Sequence, residues 1–567
     1  MKILGINYGG HDTAASIMID NKIIAASSQE RYDYKKHSRD FPIDAINDCL
    51  KTAKIAINEL DEIAFAMDPM FHIREVYLKS ALENDERIGF LIKDIDRIER
   101  SYNQEKLIRE KTGFTGKIGF YRHHMCHLAS AYFPSGFQDA ILVSIDGMGE
   151  IETGMYATGK SGEISVIHND NHYPDSLGLM YSAITFYLGW RNHCDEGIIM
   201  GLASYGNPNA KIPGSDLTYY EVFCDIIQEN GKYDYTINKD WVVYDKVRDK
   251  WVSDKFYDLF GPKRNYEEKI TEHHQNIAAA LQLRLETIVL KHLKSLKEDT
   301  GLNKLCIAGG VGLNCSMNGA IEQSGLFDEI FVQPASGDDG STIGACFVAA
   351  MKSGLKIKPK KDHNYYLGTV FSNEYIKRAV EESGVKYKLC EDVFFETAKL
   401  LADGKIIAWH QGRAEFGPRA LGNRSILTKP FPVSMKDYIN AKVKFREEFR
   451  PFAPAVLKEH CSTYFDIKQE SPHMLIACHV NSDKKKEIEA TVHVDDTCRV
   501  QTVGEDNNLR FRKLLEAFYK ETDVPVLLNT SFNVKGQPIV NTPEEAIKCF
   551  LNTAIDNLVV ENYILYK

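Results

Sequence analysis

Two groups of residues in this chain have the types and spacing that chemistry asks for. The first is Arg122-His123-His124-Met125-Cys126-His127, with Asp146 in Ser144-Ile145-Asp146-Gly147 and Asp338 in Gly337-Asp338-Asp339-Gly340. His123 and His127 are four apart, so on a helix they share one face and both imidazoles can reach one ion. Neutral imidazole suits zinc or ferrous iron, and added carboxylates move the preference toward iron or manganese. Asp146 and Asp338 each lie in a glycine-flanked stretch, where a short carboxylate can point into a cleft. Asp339 rivals Asp338, and spacing alone does not separate them. His124 points about 100° around the helix and reads as a supporting residue.

The second group is cationic. Gly412-Arg413-Ala414-Glu415-Phe416-Gly417-Pro418-Arg419-Ala420-Leu421-Gly422 is rich in glycine and arginine and has little apolar periodicity. Planar guanidinium groups match phosphate oxygens bidentately. Lys444, Arg446 and Arg450 add positive charge beside Pro451. Asn529, Thr530, Ser531 and Asn533 follow an apolar run, the usual place for ligand-facing side chains in α/β domains. A metal-type set and an anion-type set on one chain point to a two-step, metal-dependent transfer enzyme.

The elements that must position these groups follow an α/β grammar. Ile3–Asn7 reads as a buried strand, Tyr8–Asp12 as a glycine loop, and Ala14–Ile19 and Lys22–Ser28 as a hairpin turning at Asp20-Asn21. The pattern recurs as Ala140–Ile145, the loop Asp146–Gly149, then Glu150–Ala157 and Glu163–His168. A strand, glycine loop and hairpin occurring twice predict a duplicated, two-lobed α/β domain of the kind found in actin, hexokinase and the heat-shock chaperone ATPases. Leu305–Ala308 runs into Gly309-Gly310-Val311-Gly312-Leu313-Asn314 ahead of a helix, an arrangement that offers backbone N–H groups to an anion. Gly309, Gly310 and Asn314 are therefore the nucleotide-binding candidates. The proline-broken, basic stretch Ser353–Asp362 reads as a linker. It divides the chain into a first domain over 1–354, a linker over 355–363 and a second α/β domain over 364–567.

Composition narrows the class. The 567 residues exceed a single core, and 44% hydrophobic with 26% charged residues is ordinary for a globular protein. A net charge of -10 disfavours a broad nucleic-acid footprint but leaves room for a local basic pocket. No stretch approaches the roughly 20 apolar residues of a membrane span, and the start has no signal-peptide run. The twelve cysteines lack paired spacing and read as thiols of a reducing cytoplasm, the expected location.

The chain resembles the O-carbamoyltransferases of the nodulation-factor and tobramycin type along nearly its whole length. The first-half stretches are Gly5-x-Asn7 with His11-Asp12, His123-His124-x-x-His127-x-x-Ser130-Ala131, Ser176-Leu177-Gly178, Met200-Gly201-Leu202-Ala203, Gly309-Gly310-Val311-x-Leu313-Asn314 and Gly337-Asp338-x-Gly340. The second-half stretches are Gly412-Arg413-x-Glu415-x-Gly417-x-Arg419-Ala420-Leu421-Gly422, Phe449-Arg450-Pro451-Phe452-Ala453-Pro454, Arg499-x-Gln501-Thr502-Val503 and Leu528-Asn529-x-Ser531-Phe532-Asn533. The H-x-x-x-H pair with two aspartates is shared with the wider group that makes threonylcarbamoyl-adenosine in tRNA.

The resemblance implies a TsaD-like first domain and a YrdC-like second domain. Carbamoyl phosphate and ATP, the latter with Mg, would react in the second to give carbamoyl adenylate. The carbamoyl group would pass to a hydroxyl of a small acceptor, such as a sugar, an antibiotic or another specialised metabolite, beside bound Fe(II) or another divalent metal. His123, His127, Asp146 and Asp338 would hold the metal. Lys444, Arg450, Arg499, Asn529 and Ser531 would hold carbamoyl phosphate, with Arg419 nearby, and His11 or Asp12 would take the acceptor proton. The family is generally dimeric. Ile198 stands where a lysine is usual, and Ser204 where proline is common, so acceptor identity is open. The alternatives are a fused tRNA threonylcarbamoyl-adenosine synthase, disfavoured by the acidic balance, and a non-catalytic ATP-binding scaffold.

Overall fold

A computed structural model describes residues 1–83, 87–247 and 250–567. The opening strands are Lys2–Asn7, Ala14–Ile19 and Lys22–Ser28, and the turn between the last two places Asp20 and Asn21 at positive φ. Their short polar side chains tolerate that region. Glu62–Phe65 and Lys117–Phe120 add in parallel, so the third, second, first, fourth and fifth strands lie side by side.

A second sheet repeats this arrangement. Asp139–Ile145, Gly154–Lys160 and Glu163–His168 form the antiparallel trio, and Lys304–Ala308 then Glu329–Val332 extend it in parallel in the same spatial order. Matching order and sense in two sheets mark a duplication, and the fold is the expected two-lobed, actin-like α/β architecture. The central strand Asp139–Ile145 is buried along six of its seven residues, which is why it reads as an unbroken apolar run. The helix Asp338–Lys352 packs on the first sheet and on the helix His123–Ser135. A Cβ on Gly344 would collide with the Cys126 carbonyl, so these two helices meet backbone to backbone. That contact brings both metal-type sequence groups to one place.

Contacts group the chain into two compact units, 1–24 with 39–317 and 324–362, and 25–38 with 318–323 and 363–567. The sequence suggested a simple linear division. Instead, residues 25–38 and 318–323 fold with the second unit. The basic stretch before residue 363 is pinned rather than loose: Lys360 and Asp362 donate backbone N–H groups to Phe133 and Pro134. One further expectation shifts: the second hairpin starts at Gly154, leaving Glu150 and Glu152 in a loop, while Asp338 of the glycine-flanked stretch opens a helix.

The second unit is built on an eight-stranded mixed sheet. Its order is Lys386–Leu389, Tyr563–Tyr566, Asn557–Val560, Ile407–His410, Arg424–Thr428, Val526–Ser531, Ala453–Leu457 and Gln501–Val503. The strand Val526–Ser531 runs through Asn529–Ser531, which the sequence placed after the apolar run. A small sheet of Phe465–Asp466, Ala477–Val480 and Thr497–Arg499 carries Arg499. No helix among the described residues is long and apolar enough to cross a membrane.

Candidate metal centre and anion pocket

His123 is the first residue of its helix, and His127 lies one turn on, as the four-residue spacing requires. Both are buried, and their Nε2 atoms are 2.9 Å apart. Asp146 Oδ2 lies 3.3 Å from His123 Nε2 and 3.1 Å from His127 Nε2, while Asp338 Oδ1 lies 3.4 and 3.9 Å away. One ligand atom from each of the four falls within 4.8 Å of the others. Asp338 rather than Asp339 turns inward; Asp339 Oδ1 accepts the Gly340 N–H at 3.0 Å.

The donors are aimed from behind. His123 Nδ1 donates to the Ala66 carbonyl at 3.0 Å, so in the neutral ring Nε2 is the lone-pair atom. Asp146 Oδ1 accepts N–H groups from Gly147 at 2.7 Å and Gly310 at 3.2 Å, which leaves Oδ2 for the centre. Two imidazole nitrogens facing each other between two carboxylates fit a divalent cation of the zinc or ferrous type. Burial opposes charge on His123, but Asp338 and Asp146 outweigh it and raise its pKa well above the usual value. Burial would likewise raise Asp146, yet hydrogen bonds from His123 and His127 hold it well below the carboxylate range. His124 supports from the side: Nδ1 meets Ser144 Oγ at 2.8 Å, Nε2 meets the Glu152 carbonyl at 2.9 Å, and burial lowers its pKa to about 4.

Glu150 was not singled out from sequence, yet it anchors this helix. Fully buried, it accepts the His123 N–H at 2.9 Å, the Asp68 N–H at 2.8 Å and the Arg122 Nε–H at 3.4 Å. A carboxylate at a helix N-terminus satisfies amides that the helix itself cannot and opposes its dipole. Arg122 also pairs with Glu152 and stacks 3.6 Å over Phe71. The acidic pair after Gly149 was the available signal.

His11 and Asp12 pair through Nδ1 and Oδ2 at 2.8 Å and are partly exposed. Burial lowers the pKa of His11, but Asp12, Asp338 and Asp146 outweigh that and lift it to about 10. The imidazole therefore carries its proton at neutral pH while those carboxylates are uncompensated. His193 stacks on His11 with ring centroids 5.8 Å apart. Of the nucleotide candidates, Gly309 adopts φ +88 and presses on the Ile145 backbone, while the Gly310 amide serves Asp146. The Asn314 side chain is committed to Gln282 and to the Met317 N–H, so its role is in holding the helix start.

In the second unit, buried Lys444 donates to Ser531 O at 2.8 Å, Ser531 Oγ at 3.2 Å, Asn533 O at 2.9 Å and Asn533 Oδ1 at 2.6 Å. Burial, then Arg446 and Arg450, push its pKa well below the lysine range. Arg446 is lowered by burial and by the charges of Arg450 and Arg499, which places both of those guanidinium groups within range of Arg446. Arg499 Nε is buried without a hydrogen-bond partner among the described residues, and so is Asn529 Oδ1. Glu447 lies 3.6 Å from Arg450 and 3.2 Å from Lys535. Arg413, which the glycine–arginine loop offered for phosphate, instead holds the Leu367 and Gly368 carbonyls. Glu415 accepts the N–H groups of Leu421, Asn423 and Arg424 at 2.7–3.1 Å and fixes the loop bearing the half-buried Arg419.

Residues 2–347 match the family described as Carbamoyltransferase N-terminus, and residues 398–567 match Carbamoyltransferase C-terminus. Nodulation protein NolNO of Sinorhizobium fredii (strain NBRC 101917 / NGR234) is 36% identical over 98% of this chain and 79% of its own length. Nodulation protein NolO of Bradyrhizobium diazoefficiens is 36% identical over 78% of each chain. Uncharacterized protein sll1178 of Synechocystis is 37% identical over 100% of this chain and 96% of its own. Among solved structures, component A of (R)-2-hydroxyglutaryl-CoA dehydratase from Acidaminococcus fermentans gives a TM-score of 0.33 at 12% identity, over 63% of this chain and 100% of that one. That likeness is too weak to argue from. The two family matches and the similarity along the whole length carry the assignment, and the chain belongs to the carbamoyltransferase family.

Proposed function

We propose that this carbamoyltransferase uses carbamoyl phosphate and ATP, forms carbamoyl adenylate with release of phosphate and pyrophosphate, and carbamoylates a hydroxyl of a small acceptor. One observation carries the reading. Lys444 is buried and Arg446, Arg450 and Arg499 are half-buried; the charges of Arg446 and Arg450 act on Lys444, and those of Arg450 and Arg499 on Arg446, with Glu447 as a nearby carboxylate. Burying like charges is costly unless an anion compensates them, and a phosphorylated donor supplies that charge. Arg450 and Arg499 bind phosphoryl oxygens, while Lys444 holds Ser531 and Asn533 in place. Such a cationic site would exclude water from the labile donor once bound and stabilise charge that develops on phosphate.

In the first unit, His123, His127, Asp146 and Asp338 would hold a divalent metal such as Fe(II), which would supply Lewis-acid polarisation when bound. Asp12 fixes Nδ1 of His11, leaving Nε2 to exchange a proton with the acceptor hydroxyl. A cation held by Asp146 and Asp338 would offset two of the three carboxylates that load His11, bringing it toward the range a base needs. The test is pyrophosphate release from ATP in the presence of carbamoyl phosphate. The purified protein should release it, and Arg450→Ala should not. Undiminished release by the variant, or release that requires threonine and bicarbonate instead, would overturn the assignment.

A further inference from the structure

Cys478 and Cys498 sit on neighbouring strands of the small sheet, directly opposite one another in an antiparallel register that also pairs Ala477 with Arg499. Their sulfurs are 4.0 Å apart, and both residues are buried, at 0% and 4% exposure. Opposed residues in an antiparallel pair have Cα atoms about 4.5–5.5 Å apart. A disulfide accepts about 4.4–6.8 Å. The backbone thus already fits the bond, and modest side-chain rotation brings the sulfurs to bonding distance. The carrying strands are only four and three residues long, so the ladder has few hydrogen bonds to resist such an adjustment.

We propose that Cys478 and Cys498 form an oxidation site, a cross-strand disulfide whose closure shifts Arg499 and weakens phosphate binding in the second unit. The oxidant is a small peroxide, because the sulfurs are too enclosed for a bulky disulfide. One thiol attacks hydrogen peroxide, giving a sulfenic acid and water. The second thiol displaces the hydroxyl of that sulfenic acid as water, and the S–S bond forms. Two electrons and two protons leave the thiols, and one peroxide becomes two waters.

The consequence lies one residue away. Arg499 follows Cys498 directly on the strand, its Nε is buried without a partner among the described residues, and its charge acts on Arg446. A guanidinium aimed by a three-residue strand follows that strand when it moves. Cys461 lies in the same core, on the helix Cys461–Tyr464 rather than on a strand facing either cysteine. The bond itself stands apart from the proposed donor chemistry, whereas the effect on Arg499 rests on that reading.

The experiment oxidises the full chain with hydrogen peroxide and maps peptides without reduction. The expected product is 2 Da lighter, with the Cys478 and Cys498 peptides joined, and it reverts with dithiothreitol. Cys498→Ser and Cys478→Ala should each abolish the link. Calorimetric titration with inorganic pyrophosphate should show about tenfold weaker binding to the oxidised protein, restored on reduction. Recovery of both cysteines as alkylatable thiols, or a link to Cys461, overturns the site. A joined pair with unchanged pyrophosphate affinity overturns the coupling to Arg499. If the wild-type protein forms the link but never releases pyrophosphate from ATP and carbamoyl phosphate, the donor assignment fails while the oxidation site stands.

Discussion

Glu150 gives the sharpest test of how the fold serves the metal centre. Its side chain is completely buried and accepts two backbone N–H groups, from His123 at 2.9 Å and Asp68 at 2.8 Å. Glu150→Ala leaves both donors without a partner, at about 1–3 kcal/mol each. Burial raises the pKa of Glu150 even though His123, Asp68 and Arg122 favour its charge, so the carboxylate is already held at some cost. A folded pKa above the unfolded value means that this group's contribution falls as pH rises through the titration, and at neutral pH its charge opposes stability. Glu150→Gln keeps an acceptor oxygen and removes the charge, so it should stay within about 1 kcal/mol of the wild type. The alanine variant should lose about 3 kcal/mol locally after the relief of carboxylate desolvation. Amide hydrogen exchange of the helix His123–Ser135 reads this directly, because a loss of 3 kcal/mol speeds exchange about 150-fold where opening and closing equilibrate faster than exchange itself. Misorienting His123 should also lower Zn²⁺ affinity about 10–100-fold. Equal exchange in Glu150→Ala and wild type, or equal damage from Gln and Ala, would refute the reasoning.

Metal content separates the two neighbouring aspartates: Asp338→Asn should lose a bound divalent ion on dialysis, whereas Asp339→Asn should retain it, as measured by elemental analysis. Gly178→Ala places a Cβ against the Asp146 backbone. It should weaken metal binding while the pyrophosphate-releasing half-reaction of the second unit continues. Buried His292, whose Nδ1 meets the Tyr156 hydroxyl at 2.8 Å, has its pKa lowered to about 4, first by burial and then by the charge of His168. Its folded pKa lies below the unfolded value of about 6.5, so its contribution is full above pH 6.5 and is lost as pH falls toward 4. About 2.5 units correspond to about 3 kcal/mol, and the wild-type advantage over His292→Gln in urea should shrink by about 2 kcal/mol between pH 7 and pH 5. A constant difference across that range would contradict the assignment.

What was legible in the sequence divides along a physical line. The opening hairpin, the second hairpin and the strand before Gly309 could be read because their apolar runs and turn residues are local signals, and Asp20-Asn21 even fixes the turn by its own conformational preference. The four metal-type residues could be read because imidazole spacing on a helix and short carboxylates beside glycine are constrained by ligand geometry. Contributions that depend on tertiary approach left less trace. Glu150 looks like any acidic residue near a turn until two distant backbone amides converge on it. Arg413 and Arg424 look like Arg419 in a glycine-rich loop, yet they are spent on carbonyls of their own unit. An arginine side chain carries five donors and announces only that acceptors will be found. Whether these are phosphate oxygens or the backbone's own is decided by which chain segment lies opposite. For the same reason, the segments 25–38 and 318–323 could not be assigned to the second unit from their composition. Arg31 illustrates this: it is buried and reaches the Gly417 carbonyl at 3.0 Å and the Ile539 carbonyl at 3.2 Å, partners far along the chain. The side chains around the candidate centres were thus readable where their own chemistry constrains spacing, and opaque where the surrounding backbone decides their partner.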